Sequence, residues 1–316
     1  MAILLLIQKK RVKTISFLIE SFHLRILIKQ TKYAKEVIIL ADIFSDLANL
    51  GLGSTEKFQV FEAEKKLQEP QIIQKEKKFE IESILYFAKI KCPVCGSEVL
   101  FRTIKSGKIR LVKTDLDLRP IYDVVDPSLY EVAVCNTCGY AALKKRFLSI
   151  TPKNIELIKT NISHQFVGRD YPDVYNYEIA IERYKLALLD AIVIEVSDCE
   201  KAFLCLKIAW LYRGYLEQEK NCDAKKIEEY QLSEKTFLEH ALEGFKIAHH
   251  QEKFPTMGLD ELTVKFLIGE LSRRVGLYED ALKWISEVMV SKSASRRLKD
   301  RALESKLLIK QAKGAN

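Results

Sequence analysis

Beyond residue 142, apolar residues recur three and four positions apart almost to the end of the chain. This is the period of amphipathic helices, and it predicts an all-α domain over residues 148–316. Residues 81–147 follow another rule. Short apolar and β-branched runs at 81–90, 98–104, 108–113 and 130–134 alternate with turn residues, which predicts a small strand-rich module. The runs 98–104 and 108–113, separated by Lys105-Ser-Gly107, read as one hairpin, and the stretch from Lys113 to Pro120 reads as a break in the sheet. Upstream, residues 41–50 carry helical spacing and end at Gly51 and Gly53, a short capped helix. Residues 62–80 are polar and mixed in sign, so 38–80 reads as a short helix and linker. The expected fold class is α+β multidomain, a small β-rich module followed by a helical one.

The helical half contains an internal echo. Ala180, Tyr184 and Ala187 recur as Ala241, Phe245 and Ala248, and again as Ala281, Ile285 and Val288. Small residues at these positions let two helices approach, while the large one fills the space beside them. That is the packing face of a tetratricopeptide B helix. Ile268-Gly269 followed by Gly276 to Ala281 reads as an A-to-B turn, and Cys205, Ile208, Ala209 and Tyr212 fill the matching A-helix positions. The copies are 61 and 40 residues apart, instead of the roughly 34 of a regular unit, so the expectation is a divergent tetratricopeptide-like array. The polar stretch 217–230 is its obvious insertion or helix extension.

The 316 residues are 48% hydrophobic and 30% charged, a soluble, globular composition, and no apolar run approaches a membrane span. The net charge of +8 suggests nucleic acid until its location is considered. Residues 1–37 hold eight basic side chains against Glu20 and Glu36, +6 of the total, leaving +2 for the rest. The expectation is a basic leader over 1–37, either an amphipathic arm or sequence ahead of a start near Val37. Its apolar run precedes its basic cluster, the reverse of a secretory signal, which places the protein in the cytoplasm.

Chemistry concentrates in the cysteines. Cys92-Pro-Val-Cys95-Gly and Cys135-Asn-Thr-Cys138-Gly are near copies, and two CxxC knuckles present four thiolates to one tetrahedral ion. With no export signal, this grouping favours metal over disulfides. One structural zinc held by Cys92, Cys95, Cys135 and Cys138 is the expected cofactor, with iron the alternative for four sulfurs. Four ligands leave no open position for catalysis. Cys199 and Cys205 read as packing thiols and Cys222 as a loop thiol. Asp115, Asp117 and Asp123 could be imagined as an acid/base set, but in a proline-containing turn they read as solvated or as caps. His23, His164, His240, His249 and His250 form no ligand or triad pattern.

The string Cys92-Pro-Val-Cys95-Gly, Asp115-x-Asp117, Tyr122, Asp126-Pro127-x2-Tyr130 and Val134-Cys135-x2-Cys138-Gly-Tyr-Ala141 resembles a bacterial family known as domain of unknown function 2225. It departs at Asp126, where the family pattern usually has asparagine. The resemblance implies a zinc-binding bacterial protein with helical repeats behind its ribbon, and it supplies no substrate. Two function classes follow. The preferred one is a non-enzymatic scaffold that holds a protein or peptide partner through its helical repeats. The other is nucleic-acid binding by the ribbon, using Arg102, Lys105, Lys108, Arg110, Lys113 and Arg119 beside Phe101 and Tyr122. No nucleophile or base can be named for an enzyme.

Overall fold

The structure is a computed structural model that describes residues 50–51, 81–105, 107–218 and 223–314. The basic leader, almost all of the 38–80 helix and linker, and Cys222 therefore lie outside the described residues.

Each cysteine knuckle is the turn of its own hairpin. Strand β1 (Leu85–Lys91) pairs antiparallel with β2 (Glu98–Ile104), with Lys91 opposite Glu98. After β3 (Leu111–Thr114) and β4 (Pro120–Tyr122), a one-turn 3-10 helix (Pro127–Tyr130) leads into β5 (Val132–Val134). Strand β5 pairs with β6 (Ala141–Leu143), with Val134 opposite Ala141. Both turns carry one hydrogen-bond pattern. Cys92 donates its N–H to the Ser97 carbonyl (2.9 Å) and Cys135 to that of Tyr140 (2.8 Å). Gly96 and Gly139 donate back to Cys92 and Cys135, each at 2.9 Å. These glycines have φ of 77° and 79°, where a Cβ is disfavoured.

The hairpin expected between 98–104 and 108–113 does not form. Strand β2 is taken by β1 through the first knuckle, and β3 pairs with β4 instead. The stretch expected to break the sheet is the turn of this middle hairpin. Pro120 opens β4, a first position where its missing N–H costs no ladder bond.

The helices follow. Helix α1 (Pro152–Ile158) is capped by the Thr151 side chain and α2 (Tyr177–Val193) by Asn176. Then come α3 (Asp198–Gln218), α4 (Ala224–Gln251), α5 (Glu261–Arg274, capped by Asp260), α6 (Tyr278–Val290) and α7 (Arg296–Gly314). From α2 onward each helix packs on the next, and α7 also reaches α5. The small-large-small positions are the core of these pairings: Ala180, Tyr184, Ala187, Ala241, Phe245, Ala248, Ala281, Ile285 and Val288 are all buried. Helices α5 and α6 approach so closely that a Cβ on Gly269 would lie 2.7 Å from Ile285 Cγ1. In the described part of 217–230 the chain extends α3 and α4. Among the described residues no helix is long and apolar enough to cross a membrane.

The β5–β6 hairpin is seated on α2. Arg183 Nη2 donates to the Val132 carbonyl (2.9 Å), and the Ala141 N–H donates to Asp190 Oδ2 (2.5 Å). Tyr184 and Lys207 both donate to Glu131 Oε2, at 2.9 and 2.6 Å. The second knuckle thus rests on a helix surface that is itself core.

Candidate metal centre

The two knuckles face each other. All four sulfurs lie within 4.8 Å of one another, with Cys92 and Cys138 3.6 Å apart and Cys95 and Cys135 3.5 Å apart. Sulfurs at about 2.3 Å from a tetrahedral zinc stand roughly 3.8 Å from each other, so the quartet fits the ion. Backbone donors point the same way. The N–H groups of Cys95 and Val94 address the Cys92 sulfur, those of Cys138 and Thr137 address Cys135, and that of Tyr140 addresses Cys138. Donors aimed at sulfur favour the thiolate, which is the form that binds metal. The sulfurs oppose one another, however. Hydrogen bonding to Cys135 pushes the Cys92 and Cys138 thiols up, while bonds from Cys138 and Cys92 hold Cys135 down. A divalent cation would neutralise the charge that keeps the further thiols protonated. Cys95 is exposed and the other three are buried. Such a centre would staple the two hairpins to each other.

The other candidates disperse. Cys199 and Cys205 are buried, and burial pushes the Cys199 thiol up to about 12. His240 is buried on α4 and pushed down to about 4 by desolvation. His249 stacks edge-on against Trp284. Asp123 is an exposed cap, accepting the N–H groups of Arg110 and Val124, both at 2.9 Å.

Asp115 and Asp117 overturn the expectation of solvated turn residues. The β3–β4 turn projects into the helices. Asp117 is fully buried there, its Oδ2 receiving Trp210 Nε1 (3.2 Å) and lying 2.8 Å from Arg213 Nη2 and 3.3 Å from Arg274 Nε. Burial alone would raise its pKa, but the charges of Arg213 and Arg274 hold it below the usual carboxylate value. Asp115 accepts from Arg119 Nε (2.9 Å), and its carbonyl accepts from Arg301 Nη1 of α7 (2.7 Å). Arg119 grips both Glu217 carboxylate oxygens, at 2.6 and 2.5 Å. Sequence reading gave no role to Arg213, Arg274 and Glu217. The local signal of the two arginines is a cation within otherwise buried helical stretches.

The basic set on the ribbon divides. Arg119 is consumed in this network, and Arg102 lies 3.5 Å over the Phe87 ring and pairs with Asp173. Phe101 supports Lys144, while Lys105, Lys108, Arg110 and Lys113 remain exposed.

A family described as "Uncharacterized protein conserved in bacteria (DUF2225)" matches residues 85–309. A relative from Borreliella burgdorferi, described as an uncharacterized protein, is 25% identical over 194 residues, which cover 55% of this chain and 67% of its own. No solved structure matches. The matched span runs from the first strand to the last helix and takes in both knuckles, the buried aspartate turn and the helices that receive it, so the chain belongs to the DUF2225 family of bacterial proteins.

Proposed function

We propose that this is a cytoplasmic, non-enzymatic scaffold in which one structural zinc, held by Cys92, Cys95, Cys135 and Cys138, fixes a ribbon beside a tetratricopeptide-like helical array that holds a protein partner. The observation that carries this reading is the run of successively packed helices from α2 to α7, with the small-large-small positions buried at their contacts. The sulfur quartet supports a closed, structural metal. Arg119 is buried against Glu217 and Arg102 pairs with Asp173, so two of the six basic ribbon residues are already engaged within the chain, which favours a protein partner over nucleic acid.

The test is purification of the tagged chain from its native cells with the eluate divided and one half treated with nuclease. A defined protein retained in both halves supports the scaffold. Recovery of nucleic acid alone, with binding that falls steeply with salt, would move the function to Lys105, Lys108, Arg110 and Lys113. Metal analysis of the same sample distinguishes zinc from iron.

A further inference from the structure

The scaffold reading leaves open which face takes a partner, and the β3–β4 turn bears directly on that. In paired-helix stacks the first helix of each pair lines the inner face. On the tetratricopeptide-like reading α3, α5 and α7 are those first helices, and all three grip residues 115–119: Trp210, Arg213 and Glu217 from α3, Arg274 from α5 and Arg301 from α7. Leu118 completes the contact by packing against a buried cluster that includes Phe266, Ile285 and Ala302. The face that would read a partner is occupied by the chain's own Asp-Leu-Asp-Leu-Arg segment.

Resting on the scaffold reading, we propose that the α3–α5–α7 face is a recognition groove for an acidic, leucine-bearing turn of a partner protein, and that residues 115–119 are its resident internal ligand, displaced when the partner binds. The chemistry of the occupant defines the class. Trp210 Nε1, Arg213 and Arg274 converge on one carboxylate, a hydrogen-bond donor and two charges arranged for an aspartate. An apolar side chain one residue further on then enters the cluster beneath.

The resident segment is held on unfavourable terms. Leu118 sits at φ 70°, a left-handed conformation costly for a side chain with a Cβ. Asp117 Oδ1 is buried and accepts no hydrogen bond from the described residues. Charge supplies most of its contacts, and desolvating charge offsets much of what pairing returns. A partner segment free of the strain, with both carboxylate oxygens satisfied, would compete.

The experiment titrates a fluorescent peptide of residues 113–121 into the full zinc-loaded chain and into the double variant Asp115→Asn, Asp117→Asn. The variant should bind at least about ten-fold more tightly than the wild type, because its groove has lost the resident charges, and adding Arg213→Gln should abolish that binding. A variant that is folded and zinc-loaded yet binds no better than the wild type overturns the proposal, even if a partner co-purifies elsewhere on the scaffold. Should the variant not fold, hydrogen exchange of the wild type decides. The proposal requires the bonded amides of Asp115 and Leu118 to exchange by local opening, ahead of those of Cys92 and Cys135. Exchange of all four only with global unfolding refutes a displaceable segment.

Discussion

Replacing Asp117 with alanine tests the buried charge network most directly. The carboxylate is fully buried between Arg213 and Arg274, whose side chains are 11% and 22% exposed. Removing one partner of a buried ion pair costs about 3–5 kcal/mol, because the remaining charge stays desolvated. Here the lower end applies, since Arg213 keeps Glu234 at 2.7 Å and Arg274 keeps Glu270 at 3.1 Å. The expected loss is about 3 kcal/mol, a large part of the roughly 5–15 kcal/mol that holds a typical domain. An exposed pair is the control. Lys89 and Glu98 are 65% and 57% exposed, so Glu98→Ala should cost under about 1 kcal/mol. Urea unfolding in excess zinc, followed by tryptophan fluorescence, reads the network through Trp210, which donates to Asp117. If Asp117→Ala costs no more than Glu98→Ala, the network does not stabilise this fold.

Cys135→Ser should reduce bound metal from one ion per chain to none, as measured by elemental analysis of the purified protein, and unchanged stoichiometry would refute the four-sulfur site. Acid should destabilise the chain through Asp117 and Glu131, since burial opposes their ionisation but neighbouring cations (Arg213 and Arg274, and Lys207) hold both below their ordinary values. Their contribution is complete above the unfolded carboxylate range near pH 4 and is lost as pH falls through the lower folded values. Asp117→Asn should therefore flatten the acid limb of a stability-against-pH curve, and an unchanged limb would count against the assignment. Asp190 has the opposite sign. Burial raises its pKa well above the usual value, so Asp190→Asn, which keeps an acceptor for the Ala141 N–H, should gain stability over the wild type as pH rises above about 4. Gly269→Val should cost at least about 1–3 kcal/mol by thermal melting, because its Cβ would press on Ile285 and the backbone beyond it.

Local features were legible in the chain and distant ones were not. The cysteine quartet shows in the sequence because one short gap and one glycine encode each knuckle completely. The buried faces of the helices show because a 3.6-residue period reports one side of a helix without knowledge of what covers it. Strand pairing failed where the choice was among neighbours. Nothing in 98–104 says whether it pairs forward to 108–113 or back to 85–91, and the knuckle made the decision by acting as a turn. Asp117 was misread for a related reason. A proline-flanked acidic turn is normally solvated, and what buries this one comes from residues 93 or more positions later in the chain.

The long reach of the Asp115–Arg119 turn also sets an order of events during synthesis. The cysteine partners are at most 46 residues apart, so the two knuckles can meet while the ribosome is still making helices. The bond from Arg301 to the Asp115 carbonyl spans 186 residues and cannot form until α7 has emerged. Asp117 can meet Trp210 and Arg213 once α3 has emerged, and α7 completes the attachment of the turn only later.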